Sequence, residues 1–189
     1  MPETRIEKDA LGTLEVPAEA YYGVQTLRAV RNFPISGLLP LESFVLAQVW
    51  IKKAAALTHR ETGRLPAHLA DAIVTAADEV IAGGLRDQFV VDPYQAGAGT
   101  SHNMNVNEVL ANRANELLGS ARGTYSPVHP NDHVNMAQST NDTIPTNIRL
   151  ASLAGHASLL VAGERLRDAL AAKGVDFDDI VKAGRTHLQ

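Results

Sequence analysis

Thr143-Ile-Pro-Thr-Asn-Ile-Arg-Leu-Ala-Ser-Leu-Ala-Gly-His-Ala-Ser-Leu-Leu-Val-Ala-Gly-Glu-Arg-Leu-Arg-Asp-Ala-Leu-Ala-Ala-Lys173 is one uninterrupted helical pattern. Ile144, Ile148, Ala151, Leu153, Ala157, Leu160, Val161, Leu166 and Leu170 recur at helical spacing. At 1.5 Å per residue such a helix runs roughly 45 Å, against about 11–12 residues for the mean helix. Gly155 and Gly163 weaken it in isolation, so neighbouring helices must hold it, and its Ala and Gly content suits close packing in a bundle. The predicted fold class is mainly α: an N-terminal domain followed by the first long helix of a central bundle.

Upstream, Leu41 to about Thr62 carries Phe44, Val45, Gln48, Ile51, Ala55 and Leu57 at helical period and ends at Gly63. A second helix is predicted from Pro66 to about Ala82, with proline at its start and Gly83-Gly84 at its end. A third runs from Asn105 to Leu118, closed by Gly119. Gln88-Phe-Val-Val91 is a short apolar run compatible with extended chain. Residues 1–40 read as an irregular arm, because Gly12, Pro17, Gly23, Pro34, Gly37 and Pro40 recur too closely for a long helix. Short strands are expected only in that arm and near Val91 and Lys182. Residues 120–142, rich in Pro, His, Asn and Ser, read as loop. The domain division expected is 1–141, including the arm, and 142–189 as the start of the bundle.

Composition narrows the function. A net charge of -4 with no polybasic run argues against a nucleic-acid partner. An anionic ligand would then be held by local donors and helix ends. The absence of cysteine excludes disulfides, thiolate nucleophiles and Cys-ligated zinc. No segment reaches the ~20 apolar residues of a membrane span, and residues 1–9 lack the apolar core of a signal peptide. A soluble, cytoplasmic protein is expected.

Three segments are too rich in hydroxyl, amide and imidazole groups for ordinary core. In Gly97-Ala-Gly-Thr-Ser-His-Asn-Met-Asn105, a glycine turn ahead of a helix lets backbone N–H groups approach an anion, with Thr100 and Ser101 adding rotatable donors. For an isolated Thr-Ser pair a plain helix cap is the favoured reading. In Gln138-Ser-Thr-Asn-Asp142, Asn141 or Asp142 can cap the long helix, with Pro145 in its first turn. Capping leaves the set Ser139, Thr140 and Asn141 unexplained, and all three can donate to carboxylate oxygens. Gly184-Arg-Thr-His187 sets a titratable imidazole beside Thr186. His129 and His133 are four apart, but Pro130 argues against an established helix there and no third ligand follows at zinc spacing, so no metal is expected. His59, His68 and His156 fall inside helical patterns and read as surface or partly buried residues; His102 stays ambiguous.

These residues resemble the aspartase/fumarase superfamily along almost the whole chain. The matching segments are Arg5-Ile-Glu-Lys-Asp9, Ala20-Tyr-Tyr-Gly-Val-Gln-Thr26, Asn32-Phe-Pro-Ile35, Gly99-Thr100, Asn103-Met-Asn105, Asn107-Glu-Val109, His129 to Asp142 and Gly184-Arg-Thr-His187. The resemblance implies a mostly helical three-domain subunit in a homotetramer, with active sites drawn from three subunits. It implies reversible β-elimination from a small dicarboxylate to give fumarate, with no metal or organic cofactor. Tyr21-Tyr-Gly-Val-Gln-Thr26, Phe89 to Ser101 and Ser139-Thr-Asn141 are similar to the ammonia-lyase branch, which acts on L-aspartate. His129-Pro-Asn-Asp132 looks instead like an accessory dicarboxylate site of class II fumarate hydratases, the alternative reading. An alternative of another kind is a non-catalytic assembly or binding fragment.

Position by position, the resemblance implies that Thr100, Ser101, Ser139 and Thr140 bind the β-carboxylate side of the substrate. It places Asn141 and the catalytic candidate His187 near the amino group and Thr186 near the α-carboxylate. His129, Asn131 and Asp132 would form the accessory anion site, and Arg28 stands at a position associated with activity through an unspecified contact. The family's mobile loop, Gly-Ser-Ser-x-Met-Pro-x-Lys-x-Asn, which carries the base serine, does not occur in these 189 residues. The chain is accordingly expected to be a fragment, inactive by itself.

Overall fold

A computed structural model describes residues 3–182 and Gly184. The chain divides into two compact units, residues 1–151 and 152–189. The first unit opens with an antiparallel hairpin of β1 (Thr4–Asp9) and β2 (Gly12–Pro17), paired in register from Thr4 opposite Pro17 to Asp9 opposite Gly12. Helix α1 (Val24–Asn32) follows. The irregular arm is therefore corrected: most of it is regular structure. In β1 the polarity is inverted, with Glu7 2% exposed and Ile6 74% exposed, whereas β2 turns Leu14 and Val16 inward in the ordinary way. The buried carboxylate of β1 serves α1. Glu7 Oε2 accepts the N–H of Val24 at 2.8 Å and the hydroxyl of Tyr125 at 2.5 Å.

Helices α2 (Glu42–Glu61) and α3 (Ala67–Ile81) pack on each other, and α3 packs on α4 (Thr100–Leu117). The core between them joins Val45, Val49 and Ala56 of α2, Leu69, Ile73 and Val80 of α3, and Val106, Val109 and Leu110 of α4. Ala70, Ala76 and Ala77 of α3 are fully buried, which lets the helix backbones approach closely. Gly63, at φ 70, and Gly83, at φ 109, supply the left-handed turns after α2 and α3.

Helix α4 is buried from Ser101 almost to its end, and much of what it buries is polar. Three of its buried amides, Asn105, Asn112 and Asn115, each close two backbone valences outside the helix. Asn105 accepts from Val90 N–H and donates to the Gln88 carbonyl, both at 2.9 Å. Asn112 bridges the Tyr21 carbonyl and the Gly123 N–H, and Asn115 pairs with both backbone groups of Val128. Glu108 accepts the N–H groups of Gly23, Gln25 and Thr26 at 2.9–3.0 Å and so caps α1 from across the chain. Gly23 is required there, since a Cβ would lie 2.8 Å from both Glu7 Oε2 and Glu108 Oε1. Burial raises the Glu108 carboxyl above its ordinary pKa against the pull of those N–H groups.

Helix α5 (Thr140–Asp176) starts three residues before and ends three after its predicted bounds. Thr143, Ile144 and Asn147 are buried, whereas residues 152–182 are exposed. Two further expectations change. Helix α4 begins at Thr100 and not at Asn105, because its first turn is stabilised by tertiary bonds to polar side chains and shows no apolar period. Residues 86–88 form a 3₁₀ turn and 89–91 no strand; among the described residues the hairpin contains the only strands. Among those residues, no helix is long and apolar enough to cross a membrane.

Candidate active site

Ala98 (φ 59) and Gly99 (φ 72) both adopt the left-handed conformation in the turn ahead of α4. A Cβ on Gly99 would fall 2.8 Å from Ile144 Cδ1, so glycine permits a contact that brings the start of α4 against the second turn of α5. Gly99, at the N-cap, gives α4 no side-chain cap; the His102 N–H is satisfied by Gln95 Oε1 at 2.6 Å. Thr100 is exposed and Ser101 is nearly buried. At α5, Ser139 is the cap: its Oγ accepts the Asn141 N–H at 3.2 Å, and its carbonyl accepts those of Asp142 and Thr143 at 3.0 Å. That corrects the choice of Asn141 or Asp142 as cap, and Pro145 lies in the second turn. Two helix N-termini, each the positive end of a backbone dipole and each bearing hydroxyl residues, thus converge.

Side chains beneath reinforce this approach. Asn103 Nδ2 donates to Asn135 Oδ1 at 3.1 Å, and Asn103 Oδ1 accepts from Gln48 at 2.9 Å. Lys52 Nζ donates to Asn135 Oδ1 and to Gln138 Oε1, each at 2.8 Å. His102 is fully buried, its ring centroid 4.5 Å from that of Phe44, and burial pushes its pKa down to about 4. It is neutral at physiological pH and serves as core.

Arg28 has a definite partner. Its Nε and Nη2 bind both oxygens of Asp9 at 2.8 and 3.0 Å, and Nη2 also donates to the Gly12 carbonyl at 3.1 Å. Arg28 therefore clamps the hairpin turn onto α1, and its hydrogen bonds hold the Asp9 carboxyl below the usual carboxylate range. Asp9, Leu11, Arg28, Asn32 and Ser101 line one open cleft of about 330 Å³.

His129 caps a five-residue π-helical turn, Pro130–Val134, through Nδ1, which accepts the N–H groups of Asn131 and Asp132 at 3.3 and 3.2 Å. His133 Nδ1 accepts the His129 N–H at 2.8 Å. The loop expected here contains a helical turn after all, since a proline at the first position loses no intrahelical bond. Asn131 and Asp132 are exposed. Thr186 and His187 lie outside the described residues. Sequence reasoning passed over two residues, Lys52 and Glu108, both 0% exposed. For Lys52 a signal existed: it continues the buried α2 positions 45, 48 and 49 at helical spacing.

A family model described as lyase matches residues 12–189, and the chain belongs to that family. It is 55% identical over 98% of its length to an aspartate ammonia-lyase of Pseudomonas aeruginosa, covering 40% of that protein. It is 49% identical over 99% of its length to an aspartate ammonia-lyase of Bacillus subtilis, covering 39% of it. Among solved structures, a fumarate lyase:delta crystallin from Brucella melitensis matches with TM-score 0.86 and 50% identity, over 99% of this chain and 44% of that one. A class II fumarase from Schistosoma mansoni matches with TM-score 0.80 and 41% identity, over 99% and 40%. The chain spans about two fifths of the length of the relatives it matches.

Proposed function

We propose that this chain supplies dicarboxylate-binding residues of an aspartate ammonia-lyase. The observation that carries the reading is the convergence of the α4 and α5 N-termini through Gly99 and Ile144, with Thr100, Ser101, Ser139, Thr140 and Asn141 on the adjoining turns. In β-elimination a base takes the Cβ proton and the electron pair moves into the β-carboxylate. The dianion so formed collapses with cleavage of the C–N bond, releasing ammonia and fumarate. Donors arranged before the reaction around that second negative charge lower the barrier. Two helix ends carrying hydroxyls are suited to it, because they present N–H dipoles and neutral donors without a proton to lose. Thr100, Ser101, Ser139 and Thr140 take the β-carboxylate side in this reading, Asn141 and His187 the amino group, Thr186 the α-carboxylate. Arg28 acts by shaping the cleft at Ser101; His129, Asn131 and Asp132 form an accessory anion site. The base lies on residues this chain does not contain. Residues 142–189 begin the bundle of a cytoplasmic homotetramer.

The test is a chimera in which these residues replace the matching part of the Pseudomonas aeruginosa relative, assayed for fumarate release from L-aspartate by ultraviolet absorbance. Fumarate formation, lost on replacing Thr100 and Thr140 together by valine, is the expected result. Malate from fumarate in the absence of ammonium would favour the hydratase reading, whose support is the His129-Pro-Asn-Asp132 segment and the likeness to the Schistosoma fumarase.

A further inference from the structure

Lys52 is a cation that the proposed chemistry leaves unused. It is fully buried on the inner face of α2, where the neighbouring buried positions are Val45, Gln48, Val49 and Ala56. Burying a charge is costly unless its hydrogen bonds are made. Among the described residues, its Nζ bonds neutral amide oxygens, those of Asn135 and Gln138. The groups around it are Gln48 on α2, neutral His102 and Asn103 on α4, and the 135–138 segment. His59, also on α2, bonds the Met136 carbonyl of that segment at 3.0 Å. Burial lowers the Lys52 pKa to about 7.

The two acceptors identify what the lysine does. The Asn135 oxygen that receives Lys52 also receives Asn103 of α4, so one atom joins α2, α4 and the segment before α5. Asn135 Nδ2 donates to the Gln138 carbonyl, and Gln138 Nε2 donates to the Val134 and Met136 carbonyls, which closes the segment on itself. Gln138 immediately precedes Ser139, Thr140 and Asn141. We propose that Lys52 is a positioning residue: by fixing Asn135 and Gln138 it sets where Ser139–Asn141 stand relative to the first turn of α4. The proposal rests on the dicarboxylate site described above for its functional half. Its structural half stands independently.

Two measurements separate the halves. Amide hydrogen exchange is followed in this chain unmodified, as Lys52→Met, and as Gln138→Leu, which keeps the lysine but removes its Gln138 acceptor together with the two bonds from Gln138 Nε2. Exchange at Ser139–Thr143 accelerates about tenfold in Lys52→Met, as expected for loss of the lysine's hydrogen bonds, and at least as much in Gln138→Leu, while Ile73–Val80 of α3 keep their protection. Should Lys52→Met fail to fold, Gln138→Leu decides alone. Unchanged exchange at 139–143 overturns the proposal. In the chimera, Gln138→Leu raises KM for L-aspartate several-fold with a smaller effect on kcat. Faster exchange with KM unmoved would overturn the positioning role. A chimera that releases no fumarate before any substitution refutes the ammonia-lyase reading, and the exchange result still decides whether Lys52 holds the segment.

Discussion

Gly99 and Lys52 do for this site what no surface residue could. Gly99→Val would combine a left-handed backbone with a side chain driven into Ile144, a pairing of strain and overpacking worth about 2–4 kcal/mol. Urea unfolding should show that loss, and Ile144→Ala in the same background should recover part of it. Lys52 gives a pH dependence whose sign follows from its environment. The unfolded lysine holds its proton up to the ordinary value of 10.5, and the folded one releases it at about 7. Between those values the unfolded state binds more protons, so stability rises as pH climbs from about 7 towards 10. Above that, Tyr21, Tyr22 and Tyr125, all shifted upward chiefly by burial, work in the opposite direction. Thermal melts from pH 7 to 9 should climb for the unmodified chain and stay level for Lys52→Met.

Helices α2, α3 and α5 were legible because their apolar residues follow a 3.6-residue period and glycine marks two of the ends. The hairpin was not, since β1 buries Glu7 and exposes Ile6, and Leu14 and Val16 of β2 are too short a run to mark a strand by themselves. Nor was the first turn of α4, where Ser101, His102 and Asn103 are buried through tertiary bonds that no local pattern records. The hydroxyl clusters of the candidate site stood out by composition. Glu108 did not, because a single charged residue in a helical pattern reads as its solvated face; Lys52 did not either, although its spacing sets it on the buried face of α2. In α5, Gly155 and Gly163 have nothing within 4 Å of a Cβ position. Replacing both by alanine should stabilise that helix by about 1 kcal/mol each, visible as slower amide exchange across residues 152–170 with no change in α3.

Residues 152–182 are exposed throughout. Leu153, Leu159, Leu160, Val161, Leu166 and Leu170 are each more than half exposed along 18 residues of α5. Apolar exposure of this extent marks an association surface, as the expected bundle requires. Light scattering should therefore report association that grows with concentration, and Leu153→Lys with Leu160→Lys should abolish it. A monomer at high concentration with slow exchange across 152–170 would contradict this expectation.

The bonding positions of α4 have one more consequence. Asn105, Glu108, Asn112 and Asn115 advance by three, four and three residues, which keeps them within an arc of about 80° at 100° per residue. Three separate segments, 21–26, 88–90 and 123–128, are thus keyed to one helical register. Inserting a single alanine between Leu110 and Ala111 would turn the helix beyond it by about 100°, withdrawing Asn112 and Asn115 from Tyr21, Gly123 and Val128 in one stroke. The same insertion beside Gly63, whose Cβ position has no neighbour within 4 Å, would disturb only a surface turn. Length variation in this chain should accordingly be excluded from α4 and admitted at the α2–α3 turn, a contrast that a scanning library of one-residue insertions would read directly.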